Sequence, residues 1–208
     1  MKKKFLVLFI ASFVWMLGVG AGLADTLNLQ TLPSSTYAGH YVGGIGGNLN
    51  GGYQMTFYCD DYATTTYVPS SYAVAISNLS DLSKTKFGSA PDALSKYQQA
   101  GWLVSQMELN PTQVGPIQYA LWSVFNASTP SAPGAADWLS AAGSINPAGF
   151  DFSSVKIYTA TNTVNQEFIS GAAHAVPETS IILLLGFGIA SLLLVKRKLH
   201  NKTARKTL

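Results

Sequence analysis

A single cysteine, Cys59, stands in a chain of 208 residues, and that scarcity excludes both an internal disulfide framework and a cysteine-rich metal site. Histidine is nearly as rare, with three in all: His40, His174 and His200. Charge is sparse as well, at 11% of residues, and it is unevenly placed. Lys2 to Lys4 open the chain and six basic residues crowd between Lys196 and Lys206. Between them, Lys84, Lys86, Lys96 and Lys156 face all ten acids, so the middle of the chain is acidic. A nucleic-acid surface needs clustered cations, and this distribution excludes one. The 48% hydrophobic content likewise excludes a disordered chain.

Long apolar runs occur only at the two ends. Lys2 to Lys4, the run Phe5 to Leu17 and the small residues Gly22-Leu23-Ala24 have the three-part form of a secretory signal, which places the mature start at Asp25 and makes residues 1–24 a leader. Near the other end, Ile181 to Val195 carries no charged side chain and runs straight into Lys196-Arg197-Lys198. Fifteen helical residues reach roughly 22 Å, and Thr179, Ser180 and a snorkelling Lys196 lengthen the span. The sequence therefore predicts a transmembrane helix at 179–195, with the basic tail on the cytoplasmic side.

Between these ends, residues 25–175 form one domain. Tyr37 to Val42, Gly52 to Cys59, Thr64 to Val68 and Tyr72 to Leu79 read as short strands. The glycine-rich stretch Gly43 to Asn48 reads as a hairpin loop, since no lysine or helix start follows to make it a phosphate cradle. Leu94, Tyr97, Gly101, Val104 and Glu108 then follow a helical step, widened by Leu103 and Met107. A second helix is expected from Val114 to Phe125 with Pro116 in its first turn, and a third from Ala135 to Ala142. Strands return at Val155 to Thr161 and Val164 to Ser170. The expected class is α+β: a mostly antiparallel β-sandwich or barrel with a small helical insertion, plus the C-terminal transmembrane helix.

Cys59 poses the chemical question, because an exposed thiol in an exported chain is an oxidation liability. One answer is a small buried hydrophobe in a strand. A cysteine hydrolase would need a histidine partner, and neither His40 nor His174 lies in a catalytic signature, so no enzyme is expected. Asp60, Asp61 and Glu167 are oxygen donors, but no loop spaces them for calcium, and neither metal nor cofactor is expected. A third answer joins cysteine to glutamine. Thiolate attack on a side-chain amide expels ammonia and leaves an internal thioester that an amine can capture.

Two stretches of the chain resemble known families. Val176-Pro177-Glu178-Thr179, followed by the apolar run and the basic tail, resembles the PEP-CTERM sorting signal of Gram-negative bacteria, with Thr179 where that family repeats proline. This resemblance implies export, transient anchoring in the inner membrane, processing by exosortase near Pro177 and Glu178, and release to the envelope or an extracellular matrix. Phe57-Tyr58-Cys59-Asp60-Asp61, Ile117-Gln118-Tyr119-Ala120-Leu121-Trp122 and Asn165-Gln166-Glu167-Phe168-Ile169 together resemble the three motifs of thioester domains from Gram-positive surface adhesins. Asp60, Ile117 and Asn165 depart from that pattern. The resemblance implies a bond between Cys59 and Gln166, with Gln118, Trp122 and Tyr58 in support, and an adhesive protein acting on amine-bearing partners. The alternative is a structural biofilm-matrix protein in which Cys59 is merely buried.

Overall fold

The computed structural model describes residues 24–175. In chain order it contains β1 (Asp25–Thr31), β2 (Ser35–Tyr37), β3 (His40–Val42), β4 (Ile45–Leu49), β5 (Gln54–Cys59) and β6 (Ser70–Ser77). Three helices follow: α1 (Ala93–Leu109), α2 (Val114–Phe125) and α3 (Ala135–Gly143). The chain then returns to strands in β7 (Phe150–Asp151), β8 (Lys156–Ala160), β9 (Phe168–Ser170) and β10 (His174–Ala175). Six strands close an antiparallel barrel in the order β1-β4-β5-β9-β8-β6, with β6 pairing back onto β1. Closure leaves the barrel no free sheet edge. The expected α+β class with an antiparallel barrel and a helical insertion matches this architecture.

The leader, the sorting motif at Pro177 and Glu178 and the helix expected at 179–195 lie outside the described residues, apart from Ala24. Among the described residues no helix is long and apolar enough to cross a membrane.

Period-2 alternation sorts the strand side chains into two cores. Leu27, Leu29, Phe57, Cys59, Val74, Tyr158 and Phe168 fill the barrel. Their sequence neighbours Tyr58 and Ile169 turn outward and meet Ala100, Leu103, Val104, Ile117 and Leu121 of the helices. Helix α2 lies between the two. Tyr119 and Trp122 belong to the barrel side, while Ile117, Ala120, Leu121 and Val124 face the other helices. Such a helix is apolar nearly all round because it is covered nearly all round, which makes its one fully buried amide, Gln118, conspicuous.

Several element expectations are corrected. The glycine-rich stretch is no loop: β4 runs through it, paired with β1 and β5. Its glycines are there for close approach, since a Cβ on Gly47 would stand 2.3 Å from the Asn28 carbonyl oxygen. The expected strand at Tyr37 to Val42 breaks into the hairpin β2–β3, turned by Ala38 and Gly39 at φ 44° and 85°. No strand forms at Thr64 to Val68; that segment is an irregular loop ending in a cis peptide bond between Val68 and Pro69. At the helices the agreement is close. Leu94 falls off the buried face of α1, however, and remains 48% exposed.

Candidate functional site

Strand β5 ends at Cys59, whose side chain points into the barrel, and the chain then turns through Asp60 and Asp61. The turn presents the Asp61 carbonyl oxygen to two donors. The Cys59 thiol donates to it at 3.4 Å, and the Gln166 side-chain amide donates to it at 2.9 Å. The sulfur and the amide nitrogen are therefore no further apart than these two distances laid end to end. Both residues line a cavity of about 530 Å³, together with Gln118, Trp122, His40 and Tyr62.

Gln166 arrives there by a route the sequence does not suggest. Strand pairing would set it opposite Cys59, but the register partner of Cys59 is Phe168, and β9 begins only at that residue. Gln166 instead lies in the approach to β9, where the Thr66 hydroxyl accepts from its backbone N–H at 2.9 Å. The irregular loop at 64–68 thus helps to hold Gln166 through the Thr66 hydroxyl.

Gln118 closes the site from the helix side. Its amide nitrogen donates to the Cys59 carbonyl at 2.7 Å, and its oxygen accepts from the Gly43 N–H at 3.3 Å. Both halves of a fully buried amide are thereby satisfied, as burial demands. Trp122, one helical turn on, packs its ring against Tyr62 at 5.4 Å and His40 at 5.9 Å between centroids. Tyr58 is placed differently from the expected supporting role. It points away from the cavity, on the face of β5 that packs against the helices, because alternate residues of a strand face opposite ways. Burial there, with Glu108 nearby, pushes its hydroxyl pKa up to about 12.

The electrostatics keep the thiol protonated. Burial first, and the neighbouring Asp60 carboxyl second, push the Cys59 pKa far up; the bond to the Asp61 carbonyl pulls it the other way. The indole nitrogen has no acceptor within hydrogen-bond geometry.

Behind the cavity lies a cluster of buried acids that sequence reasoning treated only as potential calcium ligands. Asp60, Asp61 and Glu167 are almost completely buried. Lys86 serves two of them: its ammonium meets Asp61 at 2.5 Å and the Thr64 hydroxyl at 2.7 Å, while its backbone N–H donates to Glu167 at 2.7 Å. Tyr97 and Thr159 also donate to Glu167. Neither oxygen of Asp60 has a hydrogen-bond partner. Burial, then the charges of Glu167 and Asp61, raise its pKa well above the carboxylate range, and burial raises that of Glu167 too. Among the described residues no group of three or more His, Cys, Asp or Glu side chains is arranged to hold a metal ion.

Four residues singled out from sequence, Cys59, Gln118, Trp122 and Gln166, thus line one cavity. Sequence reasoning gave Lys86, which clasps the turn to Glu167, no role, weighed Asp61 only as a calcium ligand although its carbonyl joins the thiol to the amide, and weighed His40 only as a hydrolase partner although the β2–β3 hairpin brings it to the cavity.

No family model matches the chain, and a comparison with curated proteins finds no match. Solved structures similar to it include the N-terminal thioester domain of a surface protein from Clostridium perfringens, at 12% identity and a TM-score of 0.45, covering 71% of this chain and 99% of that one. The N-terminal thioester domain of fibronectin-binding protein SfbI from Streptococcus pyogenes matches at 12% identity and a TM-score of 0.43, covering 74% of this chain and 95% of that one. The N-terminal domain of the Streptococcus pyogenes pilus tip adhesin Cpa matches at 12% identity and a TM-score of 0.41, with the same coverage.

Proposed function

We propose that residues 25–175 form an exported domain that makes an internal thioester between Cys59 and Gln166 and acts as a surface or matrix adhesin, capturing amines on a partner. The carrying observation is the convergence of the Cys59 thiol and the Gln166 amide on the one Asp61 carbonyl, inside one cavity. Bond formation joins Sγ of Cys59 to the side-chain carbonyl carbon of Gln166, breaks the C–N bond of the amide, and sends the thiol proton out with the nitrogen as ammonia. Pre-positioning supplies what the protonated thiol lacks in intrinsic reactivity, since holding the two groups together replaces a bimolecular encounter. The Trp122 and Tyr62 rings wall the cavity and limit water at the acyl carbon. The domain would react once per molecule, without turnover.

In this reading the N-terminal leader exports the chain and the C-terminal segment makes it an exosortase substrate. A second reading, a structural matrix component with an inert Cys59, draws on the burial that raises the pKa of that thiol. Intact mass separates the two. The thioester form should weigh one ammonia less than the sequence requires, and methylamine should add to it stoichiometrically. A mass equal to that of the unmodified chain, unchanged by methylamine, leaves only the matrix component.

A further inference from the structure

Aminolysis of a thioester has a proton problem that the cavity wall answers at one place. An alkylamine arrives as an ammonium ion and attacks only as the free base, so a nearby group must accept a proton as the N–C bond forms. Among the described residues no carboxylate and no lysine lines the cavity. Its titratable side chains are the Cys59 thiol, the phenols Tyr41 and Tyr62, and His40. Of these side-chain types, imidazole is the usual proton acceptor in general base catalysis.

The surroundings of His40 also fix which ring nitrogen is available. Its Nδ1 lies 2.7 Å from the Tyr119 hydroxyl and 3.3 Å from the Ala38 carbonyl oxygen. The Tyr119 hydroxyl is itself 3.1 Å from that same carbonyl and 3.5 Å from the Tyr37 carbonyl. Carbonyls only accept, so the arrangement that satisfies every atom has Tyr119 donating to the backbone while Nδ1–H donates to the Tyr119 oxygen. The proton then sits on Nδ1, and Nε2, which makes no hydrogen bond to another described residue, carries the free lone pair. The ring is held in place by edge contacts with Tyr119 and Trp122 and a tilted contact with Tyr62. Tyr119 and Trp122 come from α2, and Tyr62 from the turn after β5. Helix α2 carries no charged side chain, and the turn carries Asp60 and Asp61, both buried, with the Asp61 carboxyl on the Lys86 ammonium.

We propose that His40 is the general base of amine capture, a role that rests on the thioester reading above. Nε2 of His40 takes a proton from the incoming nitrogen, which bonds to the acyl carbon of Gln166 as the C–S bond breaks. The imidazolium returns that proton to the departing Cys59 sulfur. The second proton that the ammonium ion sheds goes to water, leaving an amide on Gln166 and a thiol on Cys59. The partner remains the amine of the proposed function, which is protonated in solution and needs a base. No anionic residue in the cavity would hold that amine in its charged form.

The test uses the whole exported protein with methylamine as probe. His40→Gln and His40→Ala should still show the mass deficit of one ammonia, because His40 takes no part in holding Cys59 and Gln166 together. Their methylamine incorporation at neutral pH should slow by about a hundredfold or more, the usual worth of a positioned base. Added imidazole should restore much of the rate to His40→Ala, a rescue that a merely structural role would not give. Equal labelling rates in wild type and in a thioester-bearing His40→Gln variant would overturn the assignment. A wild-type mass without the ammonia deficit would instead overturn the thioester reading and the role of His40 with it.

Discussion

At the scale of single residues, two buried polar groups show how differently burial can be met. Gln118 is satisfied at both ends of its amide, so Gln118→Ala removes two hydrogen bonds and strands the Gly43 N–H and the Cys59 carbonyl. The expected loss is about 1–3 kcal/mol, seen as a lower midpoint in denaturant unfolding. An unchanged midpoint would mean that water replaces the amide without cost. Asp60 is met the other way: with no hydrogen-bond partner among the described residues, its pKa is raised, first by burial and then by the charges of Glu167 and Asp61. Its folded pKa exceeds its unfolded one, so between those two values the folded chain binds more protons than the unfolded chain. Stability then falls as pH rises through that window and is greater on its acidic side. Glu167 adds a contribution of the same sign. Asp81 and Asp151, whose pKa values are lowered, lose their contribution only below the ordinary carboxylate range. The thermal midpoint should therefore rise as pH is lowered from neutral toward that range, and Asp60→Asn should flatten the slope. A midpoint that declines steadily over the same interval would contradict a raised pKa at Asp60.

At the scale of elements, the site is assembled where short pieces of chain meet. The turn after β5 supplies a carbonyl, the approach to β9 an amide, α2 a second amide and the β2–β3 hairpin an imidazole. Lys86 ties the first two together, through its ammonium on Asp61 and its N–H on Glu167. Lys86→Met should leave the fully buried Asp61 carboxylate without its countercharge. The cost should be on the order of 2 kcal/mol, short of that for a fully buried pair because the Lys86 side chain is 36% exposed. Thioester occupancy by mass should fall with it, and Lys86→Arg should recover part of both. Occupancy unaffected by Lys86→Met would show that the turn holds its shape without the clasp. In the barrel wall, Gly47→Ala should drive a Cβ into the Asn28 carbonyl and force β1 and β4 apart. A loss of about 1–3 kcal/mol by thermal unfolding is expected from such overpacking.

At the scale of the whole molecule, a bond from Cys59 to Gln166 would staple the first half of the barrel to its last strands across the helical insertion. Closing a loop of about a hundred residues restricts the unfolded chain by of order 4–5 kcal/mol, less any strain in the folded state. Cys59→Ala and Gln166→Ala should therefore abolish methylamine incorporation and lower the thermal midpoint by similar amounts, since each removes the same link. Methylamine treatment of the wild type should lower it too. Unequal effects of the two substitutions on labelling would mean that a different amide supplies the acyl group. In the proposed reading the C-terminal segment is a sorting signal that belongs to no core. Removing 181–208 should shift the protein from the membrane fraction to a soluble exported form that still unfolds cooperatively. An unfolded or insoluble truncation would argue that the tail belongs to the domain.

The helices, the strand character of the two flanking regions and the four cavity residues were legible because each leaves a local mark. Apolar residues at helical spacing mark α1 and α2, the breaker cluster Pro130 to Gly134 marks the start of α3, and Tyr- and Thr-rich composition marks β5. What stayed illegible is nonlocal. Gly43 to Asn48 reads as loop from composition, yet it is a strand, because its glycines answer to the backbone of β1 and not to their own neighbours. Thr64 to Val68 reads as strand from its threonines, yet its hydroxyls are used to hold Gln166 and Lys86. His40 carries no motif at all, and only the packing of a short hairpin against α2 brings it to the cavity that Cys59 and Gln166 share. By itself the sequence determined which residue types could react and which segments could be helix or barrel wall, since both follow from local chemistry and period. Tertiary structure alone decided that the thiol and the amide meet at the Asp61 carbonyl, because that meeting depends on strand register and on hydrogen bonds between residues about a hundred positions apart.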